Sequence, residues 1–512
     1  MARERIEEGA VTRNDVAKGA GLAGLARAGA LIEAVSQVVY TWLFGLATYG
    51  LYVVLWGAVN LASNIVDLAM TIALQRIVPA ENDERAHGAV KAALLIGVVP
   101  SILVALAASL SADRIAPLIH VAAADRADLP LAIGLFAWAL PLWTFVEIAT
   151  SAARARRAFG PEIRLRIFWE QVVRILFALG FWALSFASLG LIAAHLCSLA
   201  ITAFLSARLL GRYYDLRLLV RAPIGRALWG TMVKSGLALL PSNLARRLMI
   251  DTPPIILNLI LPGARGAEAA GLFEIARKIS TVPHVVRQSF QYVLGPLTSE
   301  QAMVDRSAIG PLYRFASRIS TALVLPLGGL LIFAGADILS IYRPGVAAAL
   351  PILWILVAAR VIEAIVGPAA TIVEMIGHRL LPLLNSLAGV GIWVALAVLL
   401  VPDYGATGMA IGVGAGILVT SYAATIELRI SDGLTPFDRK LFQGLGIASV
   451  GLLLMAGAEY VADGPARFVS VTLLWAATTW LALRYGLTRE DREALGGLSR
   501  RLGLARGEAG RA

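Results

Sequence analysis

Runs of apolar residues recur along the whole chain and are separated by short polar segments. Each run has roughly the 20 or so residues that an α-helix needs to cross the hydrocarbon core of a bilayer. The pattern therefore predicts an all-α integral membrane protein with about fourteen transmembrane helices. The predicted spans are 28–46, 50–75, 89–110, 129–151, 167–187, 190–209, 230–260, 268–297, 312–335, 348–375, 380–401, 406–428, 441–461 and 466–485.

The composition agrees with a membrane protein and argues against several soluble classes. Hydrophobic residues make up 58% of the 512 positions and charged residues 15%, and the mean hydropathy is +0.75. The single cysteine, Cys197, predicts neither an intramolecular disulfide nor a metal cluster. The first residues lack an apolar core, so we expect no cleavable signal peptide. No phosphate-binding glycine loop occurs, and we expect neither an enzyme nor a bound cofactor other than a coupling ion.

The distribution of positive charge predicts the orientation in the membrane. If the N-terminus is cytoplasmic, the predicted inside segments hold 32 Lys and Arg residues and the outside loops hold five. The other eight of the 45 lie inside predicted spans. An excess of Lys and Arg marks the cytoplasmic loops of membrane proteins. We therefore expect a membrane protein with both termini in the cytoplasm, and no nucleic-acid partner despite the net charge of +11.

A weak internal repeat predicts two lobes. Gly50-Leu51-Tyr52 opens the second span and Gly271-Leu272-Phe273 opens the eighth, 221 residues and six spans later. An even number of spans gives both copies the same orientation, as in a parallel repeat about the membrane normal. The predicted parts are an N-terminal segment 1–27, an N-lobe of six helices 28–210, a linker 211–229, a C-lobe of six helices 230–429, two extra helices 441–485 and a basic cytoplasmic tail 486–512.

Eight cations fall inside the predicted spans. A cation in hydrocarbon costs at least a few kcal/mol, so such groups usually face a watery, protein-lined cavity. Arg binds phosphate through two parallel hydrogen bonds and stays charged at any relevant pH. The cluster therefore predicts a cavity for an anionic cargo such as a diphosphate. The candidate ligands are Arg174, Lys234, Arg246, Arg247, Arg277, Lys278, Arg287 and Arg360.

Some of these cations have an acid at helical spacing, and a purely structural pairing is the alternative reading for them. The pairs expected from spacing are Glu170–Arg174, Glu274–Lys278, Arg247–Asp251 and Arg360–Glu363. Four cations have no such partner in their own helix and are the preferred anion contacts. They are Lys234, Arg246, Arg277 and Arg287.

Acidic and neutral polar residues also form stripes along single helix faces. The acids are candidates for H⁺ or Na⁺ coupling, namely Glu33, Asp67, Glu147, Asp251, Glu363 and Glu374. The neutral residues are expected either to line the cavity or to hold helices together by hydrogen bonds, namely Gln37, Asn60, Asn64, Asn243 and Gln288. His284 either titrates near neutral pH or is a packed, hydrogen-bonded residue.

The run from Leu43 to Tyr52, followed by Asn60 and by Asp67-Leu68, resembles the first hairpin of the polysaccharide-type flippases. These belong to the multidrug/oligosaccharidyl-lipid/polysaccharide exporter superfamily. Their pattern is a Gly- and Tyr-containing turn and then a helix that ends near Asp-Leu-Gly. Ala69 stands here in place of that last Gly.

The resemblance implies a two-lobe, alternating-access flippase. Its cargo would be a polyprenyl-diphosphate-linked oligosaccharide. The flippase would move it from the cytoplasmic to the outer leaflet of a bacterial inner membrane for O-antigen, capsule or exopolysaccharide assembly. Membrane lipids, a polysaccharide polymerase and a chain-length regulator are the expected partners of a monomer. The alternatives are a lipid II flippase for peptidoglycan precursors, a multidrug/cation antiporter, and a membrane-embedded polysaccharide polymerase or glycosyltransferase.

Overall fold

The computed structural model describes residues 32–156, 163–283, 309–376, 380–495, 499 and 501–504. All regular structure in these ranges is helical. The chain divides into two compact units, Met1–Arg247 and Leu248–Ala512. This division falls inside a helix, whereas the predicted boundary between the lobes lies in the linker 211–229. The limits given above for the two lobes therefore stay a prediction.

The first unit contains eleven α-helices and one π-helix among its described residues. They are α1 (32–44), α2 (Leu46–Val66), α3 (Met70–Ile77), α4 (Asp83–Leu110), α5 (Ala112–Ile115), α6 (Leu129–Phe136), α7 (Ala139–Ala155), the π-helix Ile163–Trp169, α8 (Glu170–Ala183), α9 (Ala187–Tyr213), α10 (Leu216–Arg221) and α11 (Arg226–Asp251), whose last turn enters the second unit. The core of this unit lies where α3, α4 and α7 pack together. Its buried side chains include Met70, Leu74, Val90 and Ile148.

The second unit continues with ten α-helices among its described residues. They are α12 (Pro253–Ile260), α13 (Ala264–Ser280), α14 (Ile309–Phe333), α15 (Gly335–Ser340), α16 (Leu350–Ile365), α17 (Ala369–Ile376), α18 (Leu381–Ser431), α19 (Arg439–Val461), α20 (Gly464–Gly486) and α21 (Arg489–Ala494). The extra C-terminal helices α19 and α20 pack against each other and against α14.

Over the described residues, every predicted span falls on helical segments, and the all-α class is confirmed for these residues. Nine helical segments there are long and apolar enough to cross a membrane. One of them, Leu381–Ser431, has 51 residues and covers two predicted spans, which meet at Gly405 with non-helical φ and ψ of 54° and −132°. The chain is therefore a multi-pass membrane protein, and the number of fourteen crossings stays a prediction.

Four predicted spans are each built from two consecutive helices. The interruptions lie at Asp67–Ala69, Ala137–Trp138, Thr252 and Val366–Pro368. Pro253 occupies the first position of α12, where its missing N–H is no loss because that donor has no partner within the helix. The seventh predicted span is therefore interrupted directly after Asp251.

The chain after α20, expected to be a basic cytoplasmic tail, is folded over much of its described length. Thr488 and Asp491 cap α21 reciprocally through side chain and backbone. Leu504 is 1% exposed and packs with Ile319 of α14 and Leu483 of α20. The tail therefore adds to the core of the second unit.

A charged cluster joins this tail to the helices beside it. Arg318 of α14 donates to Asp491 at 2.6 Å and to Asp438, which caps α19, at 3.0 Å. Burial by itself would raise the pKa of Asp438, but hydrogen bonds from Arg318 and from the backbone N–H of Leu441 outweigh it and lower this pKa. The pairing therefore stabilises the folded protein at neutral pH, and this stability is lost as the pH falls through the lowered pKa.

We expect Arg318→Ala to destabilise the second unit by a few kcal/mol, because it leaves two carboxylates without their shared cation. The matched control is Arg489→Ala, which breaks an exposed pair with Glu493 and should cost less than about 1 kcal/mol. Thermal unfolding in detergent micelles measures both. Equal losses for the two variants would contradict the assigned role of Arg318.

Candidate functional site

The first charged cluster lies inside unit one, between α2, α8 and α9. Arg174 forms an ion pair with Glu170 one helical turn earlier, and its Nη1 donates to the hydroxyl of Tyr52 at 3.0 Å. Nε2 of His195 lies 4.0 Å from Oε1 of Glu170. The predicted Glu170–Arg174 pair is confirmed. With Arg174 only 5% exposed, protein groups hold this guanidinium in the present conformation.

The second cluster joins α7 to the π-helix. Nη2 of Arg166 lies 3.2 Å from Oε1 of Glu147, and the guanidinium stacks over the ring of Trp143 at 4.6 Å. The structure therefore places a cation beside Glu147, one of the ion-coupling candidates. The predicted fifth span begins at residue 167, which places Arg166 in a cytoplasmic loop. A π-helix lacks the 3.6-residue period of apolar positions by which an α-helix is recognised, so the sequence pattern does not place Arg166 on a helix.

The third feature is the interruption between α2 and α3. Leu68 and Ala69 have φ of 48° and 54°, the left-handed region, which costs an L-residue about 1–2 kcal/mol. The carboxylate of Asp67 accepts a hydrogen bond from the N–H of Ala69 at 2.8 Å and stabilises the turn. Asp67 is 2% exposed, so this carboxyl group is held inside the unit.

Neutral polar residues of unit one connect its helices. Asn243 of α11 donates to Asn64 of α2 at 3.4 Å, and Ser63 and Thr144 share a hydrogen bond of 3.1 Å. The backbone carbonyl oxygen of Asn60 accepts a hydrogen bond from the side-chain amide of Asn64 at 2.8 Å. Asn64 and Asn243 therefore hold helices together, the alternative left open by their sequence pattern.

The remaining predicted residues of this unit differ in exposure. Gln37 is buried, and Glu33 and Arg247 are half-buried and engaged by other groups. Lys234 is exposed on α11, and the described part of the chain places no carboxylate within salt-bridge distance of it. Exposure in the isolated chain does not distinguish a face turned to lipid from a face that lines a water-filled cavity. Lys234 therefore stays a predicted anion contact.

In the second unit, Arg277 binds Glu274 through two hydrogen bonds of 2.6 and 2.7 Å. The expectation that Arg277 has no partner in its own helix is wrong. Residues three and four positions apart are both neighbours on a helix, so Glu274 could have faced either Arg277 or Lys278. Lys278 is half-buried and engaged by other groups.

A further carboxylate of the second unit links α16 to α18. Nη1 of Arg360 lies 3.0 Å from Oε2 of Glu363, and Ser421 donates to Oε1 of Glu363 at 3.0 Å. The predicted Arg360–Glu363 pair is confirmed. Asn385 donates to Glu427 at 2.7 Å, a contact within α18 that the sequence pattern did not indicate.

Asp251 and Glu374 occupy contrasting surroundings. Asp251 is buried at the end of α11, beside the break before α12, and Glu374 is exposed on α17. Arg287, His284 and Gln288 lie outside the described residues, as does the side chain of Arg246. Across the described positions, no three His, Cys, Asp or Glu side chains come close enough to hold a metal ion.

The helices and charged groups described above indicate the class of protein. Long apolar helices interrupted at buried carboxyl groups, with ionised side chains inside each unit, are typical of membrane transporters. Residues 16–301 match the family described as "Polysaccharide biosynthesis protein". This match covers more than half of the 512 residues, and the chain belongs to that family, within the multidrug/oligosaccharidyl-lipid/polysaccharide exporter superfamily. The predicted resemblance is confirmed.

Solved structures of transporters share the fold. The lipid II flippase MurJ in an inward closed conformation is 10% identical, with a TM-score of 0.72 over 90% of this chain and 97% of MurJ. A superfamily transporter from Pyrococcus furiosus, described as having a binding pocket of reverse polarity, is 14% identical, with a TM-score of 0.60 over 80% of this chain and 93% of its own.

A MATE transporter in complex with MaL6 is also similar, with 14% identity and a TM-score of 0.58 over 80% of this chain and 93% of that one. No significant match occurs among curated proteins. Identities this low establish the fold, and the function has to be argued from the residues of this chain.

The buried pair of unit one generates a testable expectation. Glu170→Gln should destabilise the protein by about 3–5 kcal/mol, because Arg174 then remains charged and buried without its counter-ion. The double variant Glu170→Gln/Arg174→Met removes both charges and should regain most of that loss. Thermal unfolding in micelles is the measurement. A double variant as unstable as the single one would contradict the pairing argument.

Proposed function

We propose that this protein is a flippase. It moves a polyprenyl-diphosphate-linked oligosaccharide from the cytoplasmic to the outer leaflet of the bacterial inner membrane by alternating access. The product serves the assembly of O-antigen, capsule or exopolysaccharide. Membership of the polysaccharide biosynthesis family and the fold shared with a lipid II flippase support this proposal.

One observation carries the choice of an anionic cargo. The predicted seventh and eighth spans, 230–260 and 268–297, together hold six Lys and Arg residues but three acids, Asp251, Glu268 and Glu274. One of these acids, Glu274, is bound by Arg277. A net positive charge of three in two apolar helices is costly, and a diphosphate would neutralise much of it. A carrier for cationic drugs needs the opposite balance.

The diphosphate is proposed to contact Lys234, Arg246, Arg277 and Arg287 first. The two hydrogen bonds to Glu274 orient the Arg277 guanidinium. Arg174, Arg247, Lys278 and Arg360 are secondary candidates, because Arg174 and Arg360 have carboxylate partners. An ion gradient, of H⁺ or Na⁺, would return the carrier to its inward state.

Charge reversal tests the proposed anion contacts. Lys234→Glu and Arg287→Glu should each lower the translocation rate at least about tenfold, since a charged hydrogen bond contributes about 1.5–3 kcal/mol. The assay follows a fluorescent polyprenyl-diphosphate-linked oligosaccharide in proteoliposomes, normalised to the amount of reconstituted protein. The control Arg343→Glu changes an exposed cation of a predicted outside loop. Unchanged rates in both test variants would refute the contacts.

The second candidate is a lipid II flippase, which the similarity to MurJ favours. Expression in cells depleted of their own lipid II flippase separates the two functions. We expect no rescue of growth, but restored surface glycan in cells that lack an O-antigen or capsule flippase. Growth rescue together with unrestored glycan would establish the alternative.

A further inference from the structure

The break between α2 and α3 has an unusual backbone for its residues. Two consecutive non-glycine residues, Leu68 and Ala69, take left-handed φ values. Glycine adopts this region without strain, whereas a Cβ atom opposes it. The polysaccharide-type pattern has Gly where this chain has Ala69. The left-handed backbone of this segment is therefore strained relative to a regular helix.

The Asp67 carboxylate is what stabilises the broken form. Its Oδ1 accepts a hydrogen bond from the N–H of Ala69. In a continuous helix the N–H of Ala69 would instead bond to the carbonyl oxygen four residues earlier. An ionised carboxylate is a stronger acceptor than a neutral carboxyl group, so the charge state of Asp67 biases the segment between the two forms.

The helices packed around the break bring few ionisable groups to Asp67. Glu147 of α7 and Arg247 of α11 are within electrostatic range, and Glu147 is itself paired with Arg166 of the π-helix. From α4, Gly97 approaches the Cα of Asp67 and contributes no charge. Protonation of Asp67 would remove both its repulsion from Glu147 and its attraction to Arg247. Glu147 therefore favours the neutral form of Asp67, and Arg247 favours the charged form.

Movement of the break would be transmitted to α11 by direct contact. A Cβ atom added to Gly236 would lie 2.3 Å from the carbonyl oxygen of Leu68, so the two backbones touch where only glycine fits. Straightening the segment turns this carbonyl group into the helical hydrogen-bond ladder and away from Gly236. The same helix α11 carries Lys234, a proposed cargo contact.

We propose that Asp67 is a proton-binding site that switches the break between α2 and α3. A hydronium ion transfers its proton to the carboxylate, leaving water. The neutral carboxyl group then releases the N–H of Ala69, and the segment 66–70 becomes helical and shifts its contact with Gly236. The use of this switch in transport rests on the proposed flippase function, whereas proton binding and the backbone change do not.

The test uses the full-length protein in lipid nanodiscs without cargo. Hydrogen exchange of a peptide covering 66–72 is compared with a reference peptide from α9 across a pH series, and infrared difference spectra report the protonated carboxyl absorption. Asp67→Asn keeps an acceptor oxygen but cannot titrate. Ala69→Gly relieves the left-handed strain. Asp403→Asn removes an exposed acid as the control.

We expect the relative exchange of 66–72 to change with pH in the unmodified protein and in the control, and to be independent of pH in Asp67→Asn. The infrared absorption of the protonated Asp67 carboxyl group, which the unmodified protein should show as the pH falls, should be absent in Asp67→Asn. Ala69→Gly should move the transition about one pH unit lower, because a more stable break requires more protons to undo it. The same pH response in Asp67→Asn as in the unmodified protein, or no response in either, would overturn the proposal.

Translocation assays separate this inference from the function. If no vesicle moves the lipid-linked oligosaccharide but the exchange pattern is as expected, the proton site stands and the flippase proposal fails. In the other case, the unmodified protein moves the cargo, and hydrogen exchange of 66–72 depends on pH in Asp67→Asn as it does in the unmodified protein. The flippase proposal then stands and the proton site is refuted.

Discussion

The structure depends on how each ionised side chain is neutralised inside an apolar helix bundle. A charge without a partner there costs several kcal/mol, and removing one member of a buried pair costs about as much. Arg174 is held by Glu170 and Tyr52, and Arg360 by Glu363. The same constraint operates beyond the spans, where Arg318 joins two carboxylates and thereby fixes the folded tail. Positions of charge therefore determine which helices must stay together within each unit.

Much of this arrangement follows from sequence periodicity. Apolar run length predicts the helices, and an acid and a base four positions apart predict Glu170–Arg174, because they are neighbours on any α-helix. Periodicity fails where two bases compete for one acid, as Arg277 and Lys278 do for Glu274. It also fails for Glu147 and Arg166, since that pair depends on a π-helix and on tertiary packing. The burial of Leu504 likewise depends on contacts with distant helices.

The fold and the cargo rest on different kinds of argument. A fold shared at 10–16% identity with a lipid II flippase and with MATE transporters does not determine the cargo. The charge of the cargo has to be inferred from the charge balance of this chain. Six cations against three acids in the predicted seventh and eighth spans favour an anion, because counter-charge supplied by the cargo lowers the cost of burial only while the cargo is bound. That coupling of charge to occupancy is what a carrier needs.

Three of the four interruptions within predicted spans lie at or close to a carboxyl group. Asp67 begins the break before α3, Asp251 directly precedes the break before α12, and Glu363 lies one turn before the break at Gly367. A break leaves N–H groups of the following half-helix without a partner in the ladder, and the positive end of that half-helix attracts an anion. At the first break the Asp67 carboxylate accepts a hydrogen bond from one backbone group of the break, the N–H of Ala69. The charge of this carboxylate therefore acts directly on the backbone geometry of the break.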